Sequence, residues 1–369
     1  MNANEAARNN ANIRPLIVTQ TIPFNVSKGL ISGCNVCGQT TAASNCNGCK
    51  VVSYCTHEHQ SLDWPAHKQH CSKIKKARTR LEAQEIALSA HPGDTNTPRN
   101  ALDPDSAAYG NLWTHEGTRP YMKARYELVD ALLKINTKRA VEAAFAHCKE
   151  MLRLNRTDNQ GISNIVPALF LRLAQDHECY SMLRFTYIGP DPSGRVDAME
   201  PVSDFLRPHV PLAHLVALVL IKVRLFIDVR RILARTQSGS WVSGIMGENH
   251  ATFENGTVDP RVASDFLQGQ IVGMVVGITV ANEHFWPVLL SPSDNLTVRP
   301  HGYTRGSKQE MQIVLQHCYN AWFESEGSFE VVREVLSDPD VRREMTKEAP
   351  GEAELERRGE YFRRNPGPC

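Results

Sequence analysis

The sequence predicts a mainly α-helical protein in which a small double-zinc module precedes an irregular α-helical-repeat body. The first observation is that residues 34–71 hold six of the ten cysteines of this 369-residue chain, with two histidines in register. The second is that from about residue 120 onward apolar residues recur three and four positions apart, the spacing of helices that bury one face. A chain of this length is sufficient for two or three domains.

The spacing of these cysteines and histidines is typical of zinc sites. Zinc prefers four Cys or His ligands in a tetrahedron, and Cys-x2-Cys pairs often supply two of them. The candidate ligands are Cys34, Cys37, Cys46, Cys49, Cys55, His59, His67 and Cys71. This number of ligands predicts two closed sites and therefore two Zn2+ ions per chain. A closed tetrahedron leaves no position for water, so we expect both ions to stabilise the fold and to do no chemistry.

The run from Tyr54 to Cys71 resembles a MYND zinc finger. The resemblance rests on the order of the ligands, on Tyr54 before the fifth ligand, and on Gln60 and Trp64 at the spacing of that family. With the earlier ligands it covers residues 34–71, about a tenth of the chain. It implies a small metal-stabilised fold that binds segments of other proteins.

One ligand position departs from the family. MYND fingers usually have Cys at the sixth ligand, where this chain has His59. A neutral imidazole binds zinc as a thiolate does, so both sites would have the composition Cys3His. His57 is an alternative ligand, but the register of the family points to His59.

The resemblance also implies how the ligands pair. In MYND fingers the first and third ligand pairs bind one metal, and the second and fourth pairs bind the other. Carried over to this chain, site one is Cys34, Cys37, Cys55 and His59, and site two is Cys46, Cys49, His67 and Cys71. Spacing alone also permits a sequential pairing, in which the first four cysteines form one site.

The ligand chemistry predicts a reducing compartment. Thiolates persist inside the cell, so we expect an intracellular protein, in the cytoplasm or the nucleus. Residues 1–20 are rich in Asn and Ala and lack the apolar core of a signal peptide. A disulfide framework would need an oxidising compartment and leaves the two histidines unexplained. The longest apolar stretch, residues 212–227, is interrupted by charges, so we expect no membrane span.

Residues 111–336 are predicted to form the helical body. Two amphipathic segments, 121–135 and 138–154, are separated by a break at which Thr137 is a candidate N-cap. Together they resemble a tetratricopeptide-like hairpin, and residues 158–187 resemble a second one. Two such units are too few for a free-standing repeat array.

The most apolar segment of the body, residues 211–234, is apolar nearly all round and is predicted to be the central buried helix. Further helices are predicted at residues 283–290, 309–323 and 330–336. Residues 269–280 mix glycine with β-branched side chains and do not indicate one state. Residues 236–260, rich in Gly, Ser and Asn, are predicted to be a mobile insertion.

Three segments are assigned outside the zinc module and the body. Residues 1–30 are predicted to be a flexible N-terminal segment. Residues 72–110 are predicted to be a basic helix followed by a linker rich in Pro, Asp and Asn. Residues 337–369 are charged and are predicted to be a disordered tail.

The resemblance implies peptide binding. Several MYND fingers hold proline-containing segments in a shallow groove beside the second zinc, and the matching positions here are Asn47, Gln60 and Trp64. An exposed Trp offers a flat apolar face to a Pro ring, and Gln can bond an extended backbone. The alternative is that Trp64 packs on the basic helix and only stabilises the finger. We expect a protein-interaction scaffold whose finger binds a proline-containing segment of a protein partner and whose body offers a second surface.

Two other functions were weighed from the sequence. MYND fingers also occur in SET-type lysine methyltransferases, but the methyl-donor motif of those enzymes is absent, as are P-loop, GxSxG, GxGxxG and HExxH motifs. We therefore expect no enzyme; a hidden site would have to lie in residues 236–310. A nucleic-acid-binding regulator would use the basic residues 73–80, but the net charge is only +1 and no aromatic residues are interleaved there.

Overall fold

The computed structural model describes residues 29–41, 43–190, 198–207, 209–236 and 259–347. These residues are mainly α-helical, as predicted, with a single two-stranded sheet among them. The helices are α1 (His57–Ser89), α2 (Arg119–Leu132), α3 (Lys138–Leu154), α4 (Val166–Arg172), α5 (Asp176–Tyr187), α6 (Leu212–Thr236), α7 (Pro260–Ala281), α8 (Phe285–Leu290), α9 (Lys308–Phe323), α10 (Ser328–Ser337) and α11 (Pro339–Lys347). Strands β1 (Ser44–Asn45) and β2 (Ser53–Tyr54) pair antiparallel.

The helical segments of the body lie close to the predicted positions. The predicted hairpin is α2 and α3, which pack against each other across a short turn. Thr137 is the N-cap of α3, and its side-chain oxygen accepts a hydrogen bond from the Ala140 N–H at 3.2 Å. The second predicted unit is α4 and α5, preceded by a 3-10 turn over Ile162–Asn164.

The central position of α6 agrees with the prediction. Val216, Val219 and Leu220 are fully buried, and α7, the helix in closest contact with α6, packs along it. The glycine-containing stretch 269–280, whose state the sequence left open, therefore lies in a helix. Its β-branched side chains supply buried surface against α6, and Val275 and Ile278 have no exposure.

Helix α7 is long and apolar enough to span a membrane by length and composition, with a mean hydropathy of 1.3. Core helices pass the same test, so a single such helix is weak support for a span. Here Leu267 and Met274 are completely buried within the protein.

The end of the described chain differs from the prediction. Residues 339–347, assigned to a disordered tail, form α11, and its Val341 is buried in the core. Pro339 stands at the start of that helix, where its missing N–H costs nothing, and Asp338 accepts a hydrogen bond from the Asp340 N–H at 2.8 Å. Residues 348–369 of the predicted tail lie outside the described residues, as do residues 1–28 and 237–258.

The buried apolar residues form two clusters. The first runs from Cys34 to Leu169 and joins the zinc-binding module (residues 34–71) to α1, α2 and α3. The second runs from Ala168 to Val341 and surrounds α6. The core therefore divides within α4 and not at residues 72–110, where the sequence placed a linker.

The segment predicted as a linker is packed. The predicted basic helix is the continuation of α1, which begins inside the zinc-binding module. Beyond it, Ala101, Ala108 and Leu112 are fully buried. The Pro, Asp and Asn residues there form successive turns, such as the one in which Asp94 accepts from the Thr97 N–H at 2.7 Å. The zinc-binding module and the first hairpin consequently share one core.

The turn between α2 and α3 connects to both clusters. On one side, the Thr137 hydroxyl donates to the Val51 carbonyl at 2.6 Å, and the Lys138 N–H donates to the Ile31 carbonyl at 2.9 Å. On the other side, Arg172 donates to Asn136 in that turn and forms a buried ion pair with Glu324 of the segment after α9, at 2.7 Å. One turn thus links the zinc-binding module, the first hairpin and the second cluster.

We expect Thr137→Ala to lower the free energy of unfolding by about 1–3 kcal/mol, because it removes both a helix cap and a buried hydrogen bond. Thr137→Ser keeps the hydroxyl and is the matched control. Urea unfolding followed by circular dichroism measures both. Equal losses for the Ala and Ser variants would show that the methyl group, and not the hydroxyl, stabilises this turn.

Candidate metal centre

The eight predicted ligands converge into two groups of four. In each group the ligand atoms all lie within 4.8 Å of one another. The groups are Cys34, Cys37, Cys55 and His59, and Cys46, Cys49, His67 and Cys71. This is the interleaved pairing, and it excludes the sequential one because Cys34 and Cys46 belong to different groups.

The distances within the groups fit zinc. In site one, Cys55 Sγ lies 3.1 Å and Cys34 Sγ 3.5 Å from His59 Nδ1. In site two, Cys49 Sγ lies 3.6 Å from His67 Nε2. A tetrahedral ion with Zn–S bonds of about 2.3 Å and Zn–N bonds of about 2.0 Å places its ligand atoms about 3.5–3.8 Å apart. The distances of 3.5 Å in site one and 3.6 Å in site two match this spacing, and the Cys55–His59 distance is shorter than it.

The alternative ligand His57 lies outside site one. It is exposed at the start of α1, and its Nδ1 lies 3.5 Å from the Ser61 hydroxyl. Thr56 caps the helix by accepting a hydrogen bond from the His59 N–H at 3.2 Å. This cap fixes the first turn so that His59, and not His57, projects toward Cys55.

The two sites differ in exposure. All four ligands of site two are buried. In site one, Cys34 is buried and Cys37 is exposed, while Cys55 and His59 are half-buried. Site two is therefore enclosed by protein, whereas site one has an open side at Cys37.

Each Cys-x2-Cys pair lies in a tight turn that ends in a left-handed residue. The Gly38 N–H donates to the Cys34 carbonyl at 2.8 Å, and the Lys50 N–H donates to the Cys46 carbonyl at 2.9 Å. The φ angles are 74° at Gly38 and 65° at Lys50. Glycine adopts this conformation freely, whereas Lys50 adopts it against its own preference. The ligand geometry holds both turns in the same form despite the different residues.

The second of these turns, residues 46–49, is held against α1. Arg78 donates to the carbonyl oxygens of Cys49 at 2.8 Å and Gly48 at 3.3 Å. A Cβ atom on Gly48 would lie 2.5 Å from Cys71 Sγ, so only glycine allows this close approach. One of the five basic residues at positions 73–80 is thus used to hold site two.

Asp63 joins three parts of the zinc-binding module. Its carboxylate accepts hydrogen bonds from the buried Tyr54 hydroxyl on β2 and from the Asn35 side chain at 2.9 Å. Burial and the bond to Asp63 raise the pKa of Tyr54, so this hydroxyl stays protonated and donates. The Tyr that marks the resemblance in the sequence is therefore the residue that fastens β2 to α1.

The protein environment shifts the thiol pKa values in opposite directions. Burial opposes the thiolate of Cys34, but backbone N–H groups of Cys37 and Cys55 outweigh it and lower the pKa of Cys34 to about 6. Desolvation and the neighbouring thiols raise the pKa of Cys55 to about 11. Burial and the Cys46 thiol raise the pKa of Cys71 to about 12. All of these groups act as thiolates together only when a cation compensates their charge.

Two of the predicted peptide-binding residues, Asn47 and Trp64, border site two, and the third, Gln60, directly follows the site-one ligand His59. Gln60 and Trp64 lie one turn apart on α1, and Trp64 is 40% exposed. The Trp64 ring lies 6.1 Å from the ring of the ligand His67. Asn47 is exposed in the turn that closes over Cys71, and its side chain accepts a hydrogen bond from Lys50 at 3.3 Å. The predicted basic helix continues α1, the helix on which Trp64 itself lies.

The sequence analysis missed the roles of three residues in positioning the sites, namely Asp63, Arg78 and Thr137. Asp63 and Arg78 stand among charged helix residues and gave no distinct signal. Thr137 was identified as a cap, but its bond to Val51, 86 positions earlier, had no signature. Each acts between segments that only the folded chain brings together.

We expect His59→Ala to lose one equivalent of zinc, because it removes a ligand of site one, and His57→Ala to lose none. Elemental analysis of freshly reduced protein measures both. Loss of metal from the His57 variant with retention in the His59 variant would move the ligand to His57.

We expect chelation of both ions to loosen more than the zinc-binding module. Because residues 34–71 share a core with α1, α2 and α3, hydrogen exchange should rise in all of these elements and stay low in α6 and α7. Hydrogen–deuterium exchange with mass spectrometry resolves the segments. A rise confined to residues 34–71 would show that the first cluster stands without metal.

Comparison with known proteins agrees with this geometry. Residues 34–71 match the family model of the MYND finger. The Dauer abnormal formation protein 25 of Caenorhabditis elegans is 41% identical over 56 residues, which is 15% of this chain and 14% of the relative. The Rho GTPase-activating protein gacZ of Dictyostelium discoideum is 45% identical over 40 residues, 11% of this chain and 4% of the relative.

Each relative matches a small part of the chain, and the matches cover only 14% and 4% of the lengths of the two relatives. No solved structure matches the chain significantly. The family match and the two Cys3His groups together identify residues 34–71 as a MYND-type zinc finger with ligands for two zinc ions, joined to a mainly helical body.

Proposed function

We propose that this protein is an intracellular, non-enzymatic scaffold whose MYND finger binds a proline-containing segment of a protein partner. The helical body gives it a second interaction surface. The observation that carries the proposal is Trp64, an exposed aromatic side chain beside a zinc site to which it contributes no ligand.

Trp64 is poised to bind a partner. Its neighbour in three dimensions is His67, whose imidazole lies 6.1 Å from the Trp64 ring at an interplanar angle of 58°. His67 is buried and is a ligand of site two, so the zinc ion would immobilise the ring on which Trp64 rests. A rigid, half-exposed indole loses little entropy when it binds, which is why Trp is frequent among residues that dominate small interfaces.

Polar groups flank this aromatic surface. Gln60 stands one helical turn before Trp64, and its side chain makes no hydrogen bond within the part of the chain that the structure describes. Asn47 uses its carbonyl oxygen to accept from Lys50, which leaves its amide hydrogens for another acceptor. An extended proline-containing segment has unpaired backbone carbonyls that such donors can satisfy, while its pyrrolidine ring covers the indole face.

Other features support an intracellular scaffold over the alternatives. The thiolate ligands need a reducing compartment. In residues 73–80, Arg78 is bound to backbone carbonyls and Arg80 to Glu127, which reduces the charge that a nucleic acid would meet. Of the range 236–310 in which an enzyme site was considered, residues 260–281 form a core helix.

We expect Trp64→Ala to weaken the capture of proline-rich peptides by on the order of 1–3 kcal/mol, as for an aromatic anchor at a small interface. Zinc content and melting temperature should stay nearly unchanged, since the segment is anchored by His59 and His67. Leu62→Ala is the matched control, because Leu62 is an apolar side chain on the same helix that is 70% exposed.

The measurement is fluorescence polarisation with a pool of labelled proline-rich peptides and the full-length, zinc-loaded chain. If the Trp64 variant releases zinc or unfolds, Trp64 is a packing residue and the proposal loses its main support. If the Leu62 variant loses as much affinity as the Trp64 variant, the binding surface is not the one described.

A further inference from the structure

Beside Trp64 on α1 lies a row of lysines whose charges are not compensated. Helix geometry places Lys68 and Lys75 within about 40° of Trp64 around the axis, on the same edge of α1. Both side chains are exposed, and neither forms an ion pair with any residue in the described ranges. By contrast, the exposed Arg80, Arg230 and Arg299 each have a carboxylate partner.

A third lysine, Lys50, ends the turn that lies against α1. The turn 46–49 closes over Cys71, which lies between Lys68 and Lys75 on α1. Lys50 follows that turn, is exposed, and has the Asn47 side chain as its bonding partner rather than a carboxylate. Lys50, Lys68 and Lys75 are therefore three exposed lysines on the segments around Cys71, and none has a carboxylate partner among the described residues.

The carboxylates nearest to this edge do not neutralise it. Asp63 stands on the other side of the helix and is occupied by Tyr54 and Asn35. Glu82 shares the edge but lies two turns beyond Lys75, about 10 Å further along the axis.

We propose that the partner segment is acidic on one side of its proline, with carboxylates that meet Lys68, Lys75 and Lys50. This deepens the proposed function, on which it rests, by stating the chemistry of the partner. The proposal follows from charge complementarity. The lysine edge of α1 begins beside the apolar side chain of Trp64, so it favours a ligand in which acidic residues follow an apolar one.

The helix spacing sets where the acidic residues should stand. Lys68 and Lys75 lie about 6 Å and about 16 Å from Trp64 along the axis. An extended chain advances about 3.3 Å per residue. Acidic side chains about two and about five positions from the proline would therefore lie opposite the two lysines.

A nucleic acid is the competing occupant of a basic edge, and the peptide is favoured. Trp64 is the sole exposed aromatic residue of α1, whereas single strands are bound by aromatic residues that stack successive bases. The two arginines of the basic run, the residues best suited to phosphate, have partners within the protein.

The test compares two fluorescein-labelled 12-residue peptides, each with one Pro-Pro pair. One peptide has Glu, and the other has Gln, at the positions about two and about five residues from the proline. Binding to the full-length, zinc-loaded chain is measured by polarisation at about 50 mM and about 500 mM salt. We expect the Glu peptide to bind roughly three- to tenfold more tightly at low salt, as two exposed ion pairs would give, and the difference to shrink at high salt.

Two double variants carry the same change of charge. In Lys68→Glu/Lys75→Glu the preference for the Glu peptide should be lost or reversed. In Lys73→Glu/Lys76→Glu, whose positions lie about 120–180° away around the helix, the preference should persist. Zinc content and thermal unfolding of both variants report whether they fold.

The outcomes separate this inference from the proposed function. If both peptides bind equally and binding depends on Trp64, the acidic preference is overturned and the peptide function stands. If neither peptide binds, both fall. If the two double variants lose the preference equally, the attraction is not localised to this edge. If a single-stranded DNA 20-mer binds more tightly than the Glu peptide and depends on Lys68 and Lys75, the edge is a nucleic-acid contact.

Discussion

The structure depends on one helix that serves two purposes. The first turns of α1 supply His59, His67 and Cys71 to the metal sites, and the same face continues through Ile74 and Leu81 into the first core cluster. Positions three or four apart share a face, so ligation and burial follow one stripe. Because the helix is continuous, whatever the ions contribute to its first turns also fixes the surface on which α2 packs. The zinc finger thus shares a core with the first part of the body and is not a separately folded module appended to it.

The metal sites could be predicted from the sequence almost completely. Few residue types bind zinc, and their spacing is constrained by the tight turns that hold them, so Cys34 to Cys71 stood out with no knowledge of the fold. Their pairing needed the family resemblance, because spacing permits two arrangements. The contacts that hold the sites in place were not predictable: Arg78 bonds to the carbonyl of Cys49, and Thr137 to that of Val51. Every residue has a backbone carbonyl, so a hydrogen bond to the carbonyl of Cys49 or Val51 leaves no pattern in the sequence.

The body was predicted well where apolar periodicity is strong and poorly where it is weak. Helices α2, α3, α6 and α9 repeat apolar residues over several turns, and their bounds were close. The segment before α2 holds its place through isolated small residues such as Ala101 and Ala108, each fully buried but without a period. Its Pro and Asp residues indicated turns correctly, and turns were taken for a linker. The same reasoning failed at α11, where the buried Val341 and the partly buried Met345 tie a charged helix to the core.

The unequal enclosure of the two metal sites has a kinetic consequence. A small thiol or chelator can reach site one through the exposed Cys37 without any movement of the protein, whereas every ligand of site two is shielded. Release from site two must wait for fluctuations that separate α1 from the turn clamped by Arg78, which are the openings of the core itself. We therefore expect the ion of site one, around the exposed Cys37, to exchange faster than the ion of site two beside Trp64, whose ligands are all buried.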